Sequence, residues 1–246
     1  TYGKQRVKGE AYFLRAAYYF LLVNLYAQPY NPQTAASTPG VPVKLSEYVE
    51  DKEYVREPLT TVYAQVLDDL EQAETYLTGK SRVSVYHPDL AATLLLRSRV
   101  YLYMQDWEAA AREAQRALDQ QNDLLDLHSL SSGENAIYAS SPETIFSMGG
   151  YPISVAFADW RNSWGTYYPA YLISDEMSTL FQRGDLRNGF YIGPSETFRI
   201  NYVFLKVNGQ YSSWGRYDEV SDCFLLRTPE AYLTLAEASA FAGDEA

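Results

Sequence analysis

The sequence is poor in the residues that build reactive centres. Its 246 residues include one cysteine, Cys223, and two histidines, His87 and His128. One cysteine excludes an intrachain disulfide, and a chain this long does not need one to bury a core. Cys223 sits in an apolar run beside Phe224 and reads as a small buried residue, not a nucleophile. The histidines have no His-x-x-x-His partner and no Cys-x-x-Cys pair accompanies them, so no zinc site is expected. Gly193-Pro194-Ser195 is not the Gly-x-Ser-x-Gly of a nucleophile elbow. Gly149-Gly150 is too short for a phosphate loop, and no alternating Asp calcium loop appears. No cofactor is therefore expected.

Positive charge is also scarce. Lys and Arg total 20 against 31 Asp and Glu, a net charge of −11. Nucleic-acid affinity rests on cations that neutralise phosphates, so a nucleic-acid partner is excluded, and anionic membrane surfaces are disfavoured. No run of about 18 apolar residues is present to span a bilayer, and no signal peptide is visible. The chain opens just ahead of a strong helix and closes just after one, and it is read as an excerpt of a longer polypeptide.

Apolar residues make up 47% of the chain, so a globular core is expected. From Lys8 to Tyr26 the sequence is apolar on nearly all sides, the mark of a buried helix stopped ahead of Pro29. Residues 27–58 hold five prolines and read as a long loop, a kind often functional. Thr60 or Thr61 is expected to cap a second helix running to Leu77, with Gly79 as its stop. A third helix is expected over Pro88 to Met104, with Pro88 in its first turn. Asp106 caps a fourth to residue 119, and the two-residue link makes the pair an antiparallel hairpin.

From Asn122 the texture changes to Gly, Ser, Pro and aromatics. Strands are signalled at Glu143–Met148 and Tyr202–Leu205. A short helix is signalled from the Ser174 cap through Asp175–Gln182, with Gly184 as terminator. Thr228-Pro229-Glu230 opens a last helix to residue 242, with Thr as cap and Pro at its first position. The fold class is therefore mainly α: tetratricopeptide-like helix pairs interrupted by a large, irregular, loop-rich region with short strands. Residues 1–246 are read as a single domain, with helical scaffold at 8–26, 60–77, 88–119 and 228–242 and a loop-rich insertion at 122–227.

Aromatic residues are abundant: 15% of the chain, with 23 tyrosines. Sugars stack apolar C–H faces on flat rings while their hydroxyls need polar partners, so mixed aromatic and polar clusters suit glycans. The densest cluster outside expected helices holds Trp160, Arg161, Asn162, Trp164, Tyr167 and Tyr168. A second holds Tyr211 and Trp214. The same rings could instead pack a region poor in aliphatics. Tyr12, Tyr18, Tyr19, Tyr63, Tyr101 and Tyr232 fall in helical core patterns and are assigned to packing. Arg15 and Arg227 lie in apolar surroundings and are expected to hold a structural partner. The adjacent carboxylates Asp68-Asp69 and Asp175-Glu176 point apart on a helix and are read as solvated faces or caps, not catalytic pairs.

The order of these pieces resembles the SusD/RagB family. Gly9-Glu10-Ala11-Tyr12-Phe13-Leu14-Arg15-Ala16-Ala17-Tyr18 is similar to that family's most recognisable helix. Val62–Ala73, Ala91–Leu118, the Leu180-Phe181 and Asp185-Leu186-Arg187 segment, and Leu225–Ala238 resemble pieces that follow it. The usual Gly-Asp-Val-Pro-like turn is replaced here by Ala27-Gln28-Pro29-Tyr30, and Thr228-Pro229 is also a departure. The resemblance implies a central fragment of an outward-facing outer-membrane lipoprotein of Bacteroidetes. Such a protein binds oligosaccharides without cleaving them and passes them to a SusC-like TonB-dependent transporter. It would contact the membrane only through a lipid anchor outside this chain. A glycoside hydrolase on a helical scaffold and a protein-binding repeat scaffold remain the alternatives.

Overall fold

The computed structural model describes residues 3–131, 136–148, 160–162, 165–167, 172–182, 184–194, 202–204 and 225–243. The chain forms two compact units, one made of residues 1–83, 87–122 and 228–246, the other of 84–86 and 123–227.

The first unit is helical. It holds α1 (Lys4–Tyr26), α2 (Leu59–Leu77), α3 (Leu90–Met104), α4 (Trp107–Leu118) and, after the second unit's residues, α6 (Thr228–Ala242). Each helix packs on the next: α1 on α2, α2 on α3, α3 on α4, and α6 on α4 and α3. Small residues permit the close approaches. Gly9 lies so near α2 that an added Cβ would stand 2.8 Å from Leu77 Cγ. Ala91, Ala92, Ala109, Ala110, Ala114 and Ala117 are buried along α3 and α4. Phe20 meets Tyr63 and Tyr103 edge-on, with ring centroids 6.1 and 5.1 Å apart, a favoured aromatic geometry.

Local capping sets the boundaries of α3 and α4, while α2 and α3 depart from expectation at their starts and α1 begins at Lys4, ahead of residue 8. Asp106 caps α4 by accepting from the Ala109 N–H at 3.1 Å. Gln105 turns the α3–α4 corner at φ 63°. The α3 cap is Asp89, which accepts from the Ala92 N–H at 3.0 Å, so Pro88 lies outside the helix and not in its first turn. Helix α2 starts one residue early, at Leu59, and its N-cap Pro58 gives no side-chain bond. Neither Thr60 nor Thr61 caps it. The Leu59 N–H is already held by the Thr38 carbonyl at 2.9 Å, so the preceding loop satisfies that donor.

That loop has structure of its own. Gly40 N–H donates to the Glu57 carbonyl at 2.6 Å and Glu57 N–H returns to Val41 at 3.3 Å. The Arg56 guanidinium reaches the carbonyls of Gly40 (2.5 Å) and Tyr26 (2.7 Å).

The second unit contains three two-stranded antiparallel sheets among the described residues. β1 (Thr144–Ser147) pairs with β6 (Leu225–Arg227), β2 (Trp160–Asn162) with β3 (Gly165–Tyr167), and β4 (Ile192–Pro194) with β5 (Tyr202–Phe204). The short helix α5 spans Asp175–Thr179, three residues less than expected. Ser174 caps it as foreseen, accepting from the Met177 N–H at 3.1 Å. The positive-φ glycine, Gly184, lies beyond its end and cannot be its terminator.

Candidate functional site

Within the densest aromatic cluster, β2 and β3 pair antiparallel. Antiparallel register sets Trp160 opposite Tyr167, Arg161 opposite Thr166, and Asn162 opposite Gly165. Four of the candidate ligand residues, Trp160, Arg161, Asn162 and Tyr167, are thus carried on these two paired strands. Trp164 and Tyr168 lie outside the described residues, as do Tyr211, Trp214 and Cys223.

Charged groups elsewhere are largely committed to structure. In the helical unit Arg15 holds Asp69, a fully buried carboxylate, with Nε–Oδ2 2.8 Å and Nη2–Oδ1 2.5 Å. The Gln65 amide donates to the same Asp69 at 2.9 Å. Asp69 is therefore no solvated face, though its neighbour Asp68 is exposed. The hydrogen bond to Asp69 raises the Arg15 pKa further.

Glu74, Arg97, Glu113 and Arg116 form a second network across α2, α3 and α4. Arg97 bonds Glu113 (2.9 and 2.6 Å) and Glu74 (2.6 Å), and Arg116 joins both acids. Burial pushes Glu74 up, but its bonds to Arg116 and Arg97 outweigh that and hold it below the usual carboxylate range. Arg99 clasps Glu230 at 2.5 and 2.6 Å, tying α3 to the last helix.

In the second unit Arg227 pairs with buried Glu143, which also accepts from the Leu125 N–H at 2.9 Å. Arg15 and Arg227 are both structural, as their apolar settings imply. The Asp185-Leu186-Arg187 segment closes on itself: Arg187 Nη2 lies 2.7 Å from Asp185 Oδ2 and its guanidinium 5.4 Å from the Phe181 ring. Asp89 alone among the described carboxyls with a resolved shift is pushed up, first by burial, against the Ala92 N–H bond. It is a helix cap, not a cleft acid.

Burial divides the helical tyrosines assigned to packing. Tyr63 is buried, and burial lifts its hydroxyl pKa to about 12. Tyr18 and Tyr232 are 55% and 40% exposed, so neither is a core residue. A sequence that is apolar all round cannot say which faces find partners.

Residues 1–102 match a SusD-like family model described as starch-binding associating with outer membrane. Solved structures match over almost the whole chain. A SusD superfamily protein from Bacteroides thetaiotaomicron aligns at TM-score 0.77 and 20% identity, covering 98% of this chain and 56% of that one. The fold of the chain is SusD-like.

Two further structures of similar fold come from Bacteroides vulgatus. A protein described as a putative sugar binding protein aligns at TM-score 0.74 and 22% identity, over 98% of this chain and 54% of its own. One described as a SusD-like carbohydrate binding protein aligns at TM-score 0.72 and 21% identity, over 98% and 52%. The chain thus spans about half the length of these solved structures. No curated protein matches it.

Proposed function

We propose that this SusD-like chain is part of a non-catalytic glycan-binding lipoprotein of the outer membrane. It captures oligosaccharides at the cell surface for import through a SusC-like TonB-dependent transporter. The observation that carries the reading is the match of residues 1–102 to a starch-binding, outer-membrane-associated family. Two fold neighbours described as sugar- or carbohydrate-binding agree with it.

We further propose that residues 1–246 act as one SusD-like domain, with the glycan seated on its aromatic loops. Trp160, Asn162 and Tyr167, carried on the paired strands β2 and β3, supply stacking rings and an amide that can both donate and accept. Arg161, Trp164, Tyr168, Tyr211 and Trp214 complete the candidate platform. The chemistry is stacking and hydrogen bonding. Of the described acids, those with resolved shifts pair with cations, cap backbone or bond hydroxyls, which gives no support to a two-carboxylate hydrolytic site.

Incubating the full-length protein with a polysaccharide panel tests the non-catalytic part. Retention of intact polymer with no new reducing ends is expected. Release of reducing sugar would replace this reading with that of a glycoside hydrolase.

A further inference from the structure

Both aromatic clusters lie in the second unit, residues 84–86 and 123–227, and its cations are few. It holds seven Lys and Arg against twelve Asp and Glu. Two of the seven are committed to structure. Arg227 pairs with buried Glu143, and Arg187 is held by Asp185 at 2.7 and 3.0 Å. Arg161, Arg183, Arg199 and Arg216 each have an acid within three residues along the chain, namely Asp159, Asp185, Glu196 and Asp218. Lys206 alone has none. Strands β2 to β5 carry a single charged residue, Arg161.

The described surface of the unit agrees. Asp123, Asp126, Asp175 and Glu176 are exposed. The exposed cations beside them are Arg187, already paired, and His128, whose ring lies 2.9 Å from Asp126.

Ligand class follows from this arrangement. Glycans that bear carboxylates or sulfates are gripped by clustered Lys and Arg, which offer charge-assisted hydrogen bonds. Here each candidate arginine is interleaved with acid. An acid two or three residues away stands within about 10 Å along the chain, which is about the Debye length at 0.1 M salt. Its field therefore cancels that of the arginine where a ligand would meet it. Charges farther off, wherever they lie in the full-length protein, are screened. Neutral sugars need no such field, because ring stacking and hydroxyl hydrogen bonds suffice for them.

We propose that the glycan held by the aromatic loops is uncharged, and that the acids interleaved with the arginines reject uronate-bearing and sulfated glycans. The inference rests on the glycan reading above and adds the ligand class to it.

Calorimetry of the full-length protein tests it, with soluble glucans, mannans and xylans as neutral probes and polygalacturonate and chondroitin sulfate as polyanions. Titrations are run at about 0.1 M and 1 M salt, where the Debye length falls from about 10 to 3 Å. Binding to a neutral glycan is expected to change less than about twofold between the two salts, and each polyanion to bind at least about a hundredfold more weakly. A triple variant, Asp159→Asn with Asp218→Asn and Glu219→Gln, should keep the neutral affinity. It should bind the polyanions at least about fivefold more tightly at low salt and lose that gain at high salt. Polygalacturonate or chondroitin sulfate bound as tightly as the best neutral probe overturns the uncharged ligand and leaves the glycan reading intact. A triple variant as closed to polyanions as the wild type overturns the role given to those acids. No binding to either class overturns the glycan reading itself.

Discussion

Arg15 of α1 grips Asp69 of α2 with two parallel bonds, and Asp69 has no exposure to solvent. The arginine belongs to the Gly9–Ala17 segment that carries the family resemblance, so that segment's charge serves the α1–α2 contact. Removing a cation from a buried carboxylate costs about 3–5 kcal/mol. Arg15→Ala should therefore lower unfolding stability by about 3 kcal/mol in a urea titration. Arg15→Lys should recover only part of it, because an ammonium cannot make the two-pronged contact. Neither change should alter glycan affinity of the folded protein.

Gly9 opens the same segment for a packing reason. An added Cβ would meet Leu77 Cγ at 2.8 Å and Tyr76 Cβ at 2.9 Å. Glycine costs a helix about 1 kcal/mol relative to alanine, but overpacking costs about 1–3 kcal/mol. Gly9→Ala should thus destabilise on balance, against the helix-propensity trend, and thermal unfolding will show a lower Tm.

Glu74 links folding to pH. Its folded pKa lies below the ordinary value of 4.5. The unfolded chain therefore takes up the proton first as pH falls, and the stability from Glu74 is present above that value and lost as pH falls through the folded pKa. Unfolding free energy should drop on acidification below about 4.5. In Glu74→Gln the drop should be shallower, at the expense of lower stability at neutral pH.

Asp89 has the opposite sign. Burial raises its folded pKa above 3.8, so its ionised form opposes folding at neutral pH even as its side chain caps α3. Asparagine caps about as well without the charge, whereas alanine loses about 1 kcal/mol of capping. Asp89→Asn should be neutral or stabilising at pH 7 by chemical denaturation, and Asp89→Ala destabilising.

The helices were legible because their signals are local. Asp106, Ser174 and the two-residue Gln105-Asp106 link act within one turn, and all three behave as their residue types imply. The long-range contacts were not legible. Arg15, Arg99 and Arg227 find partners 54, 131 and 84 positions away, and no spacing rule names Asp69, Glu230 or Glu143. Tyr18 and Tyr232 were misassigned because apolar character predicts a buried face only where another element comes to cover it. The candidate platform rests on composition. Composition singles out Trp160 to Tyr167, while the pairing of Trp160 with Tyr167 is a register that composition does not encode.

The central claim is that this SusD-like chain binds glycan through its aromatic loops. Isothermal calorimetry of the full-length protein against a broad panel of soluble polysaccharides tests it most directly, with Trp160→Ala and Tyr167→Ala alongside. The account predicts saturable binding to at least one glycan, weakened in each variant by about 0.5–1.5 kcal/mol, the worth of one aromatic stacking contact. No binding across the panel, or full affinity in both variants, would contradict it.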